Sequence, residues 1–114
     1  MSNNLSTKSC MLDDDTIREL IDIFIDTTTS ELSALRFAVT CRNTQKVSEI
    51  AHSIKGAAAN MGFEDIYMAA RSLEQRAHHK NLAGTNHLIS IMNKELGRIV
   101  QGKEATGVDF QPPW

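Results

Sequence analysis

Residues that punctuate β-structure are scarce in this chain. It has two prolines and six glycines in 114 residues, and aromatic residues make up only 5%. Valine, isoleucine and threonine show no regular alternation with polar residues. A sandwich or barrel, which needs turn signals about every 8 to 12 residues, is therefore excluded. There is no run of about 18 apolar residues and no charged-then-apolar start with a small-residue cleavage site, so neither a membrane span nor a secretory leader is expected. A cytoplasmic protein is the natural expectation. The two cysteines, Cys10 and Cys41, have no CxxC spacing, which argues against a disulfide framework or zinc site and for reduced thiols. Nor do the 12 Lys and Arg residues form a stripe along any one helix, and with 14 Asp and Glu the formal charge is −2. Nucleic acid is not an expected partner.

What is present is ordinary globular material, 41% hydrophobic and 23% charged, in a length that supports one core. The expected fold class is all-α, an antiparallel four-helix bundle over residues 13–102, between a flexible polar leader (1–12) and an aperiodic flexible tail (103–114). Asp13, Asp14 and Asp15 place negative charge where a helix start favours it, and Thr16 with Glu19 fits a capping box. Ile17, Leu20, Ile21, Phe24, Thr28, Leu32, Leu35 and Val39 then recur at helical spacing to about Cys41. This long helix is expected to bend or break at the β-branched run Thr27-Thr28-Thr29, with Thr28 and Glu31 as a second capping box.

Asn43 or Thr44 can cap a second helix, whose core stripe reads Val47, Ile50, Ala51, Ile54, Ala58 and Met61 and which should stop at Gly62. Glu64 and Asp65 open a third, with Ile66, Ala69, Ala70, Leu73 and Ala77 inward and His78, His79 and Lys80 in its last turn. Asn81 can cap a fourth, carrying Leu88, Ile91 or Met92, Leu96 and Ile99, with Gly102 as its stop.

Function points to the side of the second helix that the core leaves free: Ser48, Glu49, His52, Lys55, Gly56 and Ala59. An exposed histidine alone says little, since most such residues are inert. Its neighbours carry the argument. Lys55 lies on the same face and can bring an ammonium beside the imidazole, while Gly56, one turn on, removes all side-chain bulk. A glycine in mid-helix costs about 1 kcal/mol relative to alanine, so it calls for a reason, and close approach of another macromolecule is one. A neutral imidazole is a nitrogen nucleophile, and a nearby ammonium can hold the oxygens of a phosphoryl group. The phosphoryl donor must come from elsewhere, because no GxxxxGK[ST] or GxGxxG loop is present. A hydrolase is excluded as well: Ser53 diverges from His52, and no acid is expected to orient that histidine. Metal binding by His78, His79 and His87 is not expected either, since adjacent histidines point apart on a helix.

The stretch Ala51-His52-Ser53-Ile54-Lys55-Gly56-Ala57-Ala58-Ala59-Asn60-Met61-Gly62 resembles the HxxKGxxxxxG signature of histidine-containing phosphotransfer (HPt) domains of phosphorelays. Phe24-Ile25-Asp26 before it and Leu73-Glu74 after it extend the resemblance to roughly residues 14–101. The resemblance implies phosphorylation of His52 at Nε2, assistance from Lys55, and a docking face of Ser48, Glu49, Gly56, Ala59, Gly62 and Glu74, the last at a position where the family often has Gln or Glu. It implies receiver domains of response regulators or a hybrid histidine kinase as partners, with a monomer expected. Mg²⁺ would sit in the receiver's acidic pocket, leaving this chain without a cofactor of its own. The same signature resembles the phosphotransfer domain of chemotaxis kinases, so a piece of a larger kinase is a second expectation. A non-catalytic helical adaptor using the same face is the alternative from another class.

Overall fold

A computed structural model describes the backbone of residues 13–106 and the side chains of residues 13–102. The described residues form four helices and no strand: α1 (Asp14–Thr40), α2 (Thr44–Met61), α3 (Glu64–His78) and α4 (Thr85–Thr106). Each helix packs on two neighbours, in the cyclic order α1, α2, α3, α4, and α2 with α3 is the most extensive pairing. That is an antiparallel four-helix bundle. The expected leader and most of the tail, with Cys10, lie outside the described residues.

The bundle closes around one core. Ile21, Leu32, Leu35, Val47, Ile54, Ile66, Leu73, Ile89 and Met92 are essentially inaccessible, and each large aliphatic buried in this way contributes about 1.5–3 kcal/mol. Phe63, in the α2–α3 turn, is buried as well, and its ring packs against Phe24 with centroids 5.0 Å apart. That contact pins the turn to α1 at the end where α2 hands over to α3. Gly62 caps α2 with φ of 78°, the left-handed conformation that costs glycine nothing. At the other end of α2 the Asn43 side chain accepts from the Lys46 backbone N–H at 3.1 Å.

Several expectations are corrected. The cap of α1 is Asp13, whose carboxylate accepts from the Thr16 N–H at 2.8 Å, so Thr16 is a donor to the cap and not the cap itself. No break occurs at Thr27–Thr29: α1 is continuous for 27 residues, and Thr28 is wholly buried within it, so packing overrides β-branched propensity and no second capping box forms. Ile17 and Leu20 are 37% and 40% exposed, because the start of α1 is less covered by its neighbours than the rest. Met61, Val39, Leu88 and Ile91 pack at the edge of the core, only partly buried.

The link to α4 is longer than expected. α3 ends at His78, leaving His79 and Lys80 outside the helix, and Lys80 takes a left-handed φ of 55°. Asn81 caps nothing; its side chain accepts from the Ala83 N–H at 3.1 Å in a local turn, and α4 starts only at Thr85. Nor does Gly102 stop α4, which runs on to Thr106. No helix among the described residues is long and apolar enough to cross a membrane.

Candidate functional site

Because Val47, Ile50, Ala51, Ile54 and Ala58 turn into the core, the helical repeat turns His52 out, and its side chain is 69% exposed. α3 runs beside α2 and delivers Glu74 to the imidazole. Glu74 Oε2 lies 2.9 Å from His52 Nδ1, and its other oxygen, Oε1, lies 2.7 Å from Lys55 Nζ. The carboxylate is only 14% exposed, and His78 Nε2 stands 4.0 Å from Oε2 on its far side. The Lys55 ammonium, and secondarily His52, hold the Glu74 carboxyl below its ordinary range, against the opposing effect of burial. Glu74 is thus an ionised acceptor fixed by Lys55.

The consequence for His52 is chemical. A carboxylate can only accept, so Nδ1 carries the proton in this bond, and in the neutral ring the lone pair is then on Nε2. The expectation that no acid orients His52 is corrected here: 22 residues separate Glu74 from it in sequence, and only the packing of α3 on α2 joins them. The Lys55 ammonium is engaged by the same carboxylate that bonds His52.

The remaining predicted face residues lie along the same ridge and groove. A Cβ built at Gly56 meets nothing within 4 Å, so the bundle itself gives no reason for glycine there. Ala59 is exposed and helps line a shallow depression of about 370 Å³ with Ala58, Gly62, Glu64 and Tyr67. Toward the start of α2, Ser48 and Glu49 line a second depression of about 340 Å³ with Gln45, Ala77, His78 and Lys80. Glu49 is tied to its own helix by Lys46 at 3.9 Å and Gln45 at 3.4 Å. On the opposite side Ser53 donates to Glu31 Oε2 of α1 at 2.6 Å, a link that periodicity did not suggest. Ser53 therefore braces α1 against α2 and takes no part beside the imidazole. Among the described residues no group of three or more His, Cys, Asp or Glu side chains is arranged to hold a metal ion. Cys41, the C-cap of α1, is a free and exposed thiol.

An all-helical bundle that presents the exposed, carboxylate-oriented His52 beside a gap at Gly56 is the class that fold and site define. Comparison with known proteins gives the class its family: a model described as Hpt domain matches residues 19–102. The chain belongs to the Hpt domain family, the histidine phosphotransfer domains of two-component phosphorelays. No curated protein and no solved structure matched it.

Proposed function

We propose that the chain carries a phosphoryl group on Nε2 of His52 and exchanges it with the aspartate of a receiver domain. The observation that supports this most is the Glu74–His52 bond, which leaves Nε2 as the nucleophilic nitrogen on the exposed side. In the forward step Nε2 attacks the phosphorus of an aspartyl phosphate. The N–P bond forms as the P–O bond to the aspartate breaks, and the aspartate leaves as a carboxylate. The ring has then spent its lone pair while Nδ1 keeps its proton, so it becomes cationic, and the Glu74 carboxylate against Nδ1–H stabilises that charge. Left alone, Glu74 would also repel the incoming phosphoryl oxygens. Lys55 on Oε1 offsets that repulsion and keeps the carboxylate in place.

Gly56 and Ala59 keep the ridge beside His52 low, which lets a receiver bring its aspartate within bonding distance. Mg²⁺ is supplied by the acidic pocket of the receiver, and transfer runs in either direction as the partner dictates. The location in this reading is the cytoplasm.

The test is incubation with a ³²P-charged receiver domain. An acid-labile, base-stable label on this chain, absent from His52→Gln with its fold intact by circular dichroism, supports the reading. Retained label in His52→Gln refutes it, and a stable complex without any label favours the adaptor.

A further inference from the structure

The bundle is electrically lopsided in a way that its net charge of −2 conceals. No Asp or Glu occurs between Glu31 and Glu49, or between Glu74 and Glu95. Those two acid-free segments contain Arg36, Arg42, Lys46, Arg76, Lys80 and Lys94. The antiparallel topology brings them together, since one spans the α1–α2 turn and the other the α3–α4 link at the same end of the bundle. Of the six, Arg36, Arg42, Lys80 and Lys94 have no ion-pair partner among the described residues, whereas Lys46 pairs with Glu49 and Arg76 donates to the Ala83 carbonyl at 2.7 Å. Arg42 and Lys80 both line a cleft of about 580 Å³ that also takes in Thr40, Asn81 and Asn86.

This positive end adjoins the phosphotransfer site. Lys80 lines the cleft and also the depression that contains Ser48, Glu49 and His78, and His78 stands beside Glu74. His52 is eight residues into α2 from Thr44, about 12 Å along the axis. A partner centred on His52 with an ordinary footprint of about 800 Å² per side reaches about 16 Å in each direction, past the level of Thr44, which lines the same depression as Lys80. On the flank toward the cleft Glu49 is held by Lys46, leaving Arg42 and Lys80 without an ion-pair partner among the described residues. Toward the other end α3 carries Glu64 and Asp65 in its first turn, with Arg71 two turns on.

We infer that the acid-free end, centred on Arg42 and Lys80, is an electrostatic docking surface for an acidic patch of the protein that exchanges phosphoryl groups with His52. The inference rests on the phosphotransfer reading and adds to it the direction of approach. A phosphorylated receiver brings clustered carboxylates and a phosphoryl dianion, so the asymmetry accelerates encounter and selects one of the two orientations along α2.

The test uses the full chain and the receiver domain of the same organism that discharges the phosphorylated chain fastest. Arg42→Asp with Lys80→Asp reverses the charges, and aspartate tolerates the left-handed backbone of both positions. A control, Arg18→Asp with Arg98→Asp, changes the net charge equally at other places. All variants are charged on His52 by phosphoramidate, a small donor that needs no docking. The expected result is a drop in kcat/KM of about tenfold or more at low salt for the first pair, shrinking toward wild type at about 0.5 M salt, with kcat, phosphoramidate charging and the control pair little changed. Equal kcat/KM for the reversed pair and wild type at low salt overturns the inference. So does a loss confined to binding of duplex DNA or phosphatidylserine vesicles with transfer unaffected. Failure of phosphoramidate to charge His52 in wild type is a separate result, which removes the phosphotransfer reading itself.

Discussion

The two sides of α2 obey different rules. Val47, Ile50, Ala51, Ile54 and Ala58 are buried, and their identity follows from packing against the neighbouring helices. His52, Gly56 and Ala59 are exposed: packing does not fix Gly56, and His52 is held by its bond to Glu74 rather than by the core. One helix thus separates a side whose residues answer to packing from a side on which packing makes no such demand. Glu74 is the point where the two meet: largely covered like a core residue, it bonds His52 and Lys55 of the outer side.

Substitutions on the inner side should cost stability and spare chemistry. Ile54→Ala opens a cavity at a site with no exposure and should lose about 2–5 kcal/mol in denaturant unfolding, while the folded fraction still accepts label. Label lost in proportion beyond the unfolded fraction would blur the distinction.

Substitutions on the outer side should do the reverse. Lys55→Ala leaves the Glu74 carboxylate unopposed beside the phosphoryl oxygens, and single-turnover transfer should slow by about 1–3 kcal/mol, roughly 5- to 150-fold. Lys55→Arg, which keeps the charge on a bulkier fork, should fall between Ala and wild type. A rate for Lys55→Ala equal to wild type at low salt would reduce Lys55 to a surface charge.

Gly56 and Gly97 offer a matched pair, for a Cβ at either meets nothing within 4 Å. Alanine at each should stabilise its helix by up to about 1 kcal/mol. Only Gly56 adjoins His52, so Gly56→Gln should block receiver transfer with the bundle folded, whereas Gly97→Gln should not. Transfer at the wild-type rate by Gly56→Gln would show that the gap is not used for docking.

The smallest effect concerns acid. The Glu74 carboxyl titrates below its ordinary value near 4.5, so its bond to Lys55 stabilises the fold fully above that pH and the contribution fades as pH falls through the lower folded value. Melting temperatures of wild type and Glu74→Gln should differ by a constant amount at neutral pH and converge below pH 4.5. Convergence at or above that pH would mean that Lys55 does not hold the carboxylate.

Helical periodicity was enough to read the inner side of α3 residue by residue, and that of α2 but for Met61 at its end, because each buried position recurs at three- and four-residue steps and water enforces the pattern. It misread the ends. Asn81 and Thr16 have side chains suited to capping, but which of several suitable residues caps a helix depends on where packing lets the chain turn, and Asp13 and the loop to Thr85 decided that. Phe63 was missed as core because it lies in the turn between two helices, and Ile89 because its neighbour Leu88 fits a three- and four-residue spacing to Ile91 and Met92 equally well. Glu74 was named from the family resemblance alone, and its bond to His52 depends on the register between α2 and α3. The positive end escaped notice for the same reason, since its charges lie in two segments that only the topology joins.

The central claim is that the Glu74 carboxylate leaves Nε2 of His52 as the reacting nitrogen. The direct measurement is ¹⁵N and ³¹P NMR of the chain charged by its receiver, which distinguishes the two phosphohistidine isomers. The account predicts a single N–P linkage at Nε2, with the Nδ1 proton retained; phosphorus on Nδ1, or on any residue other than His52, would contradict it.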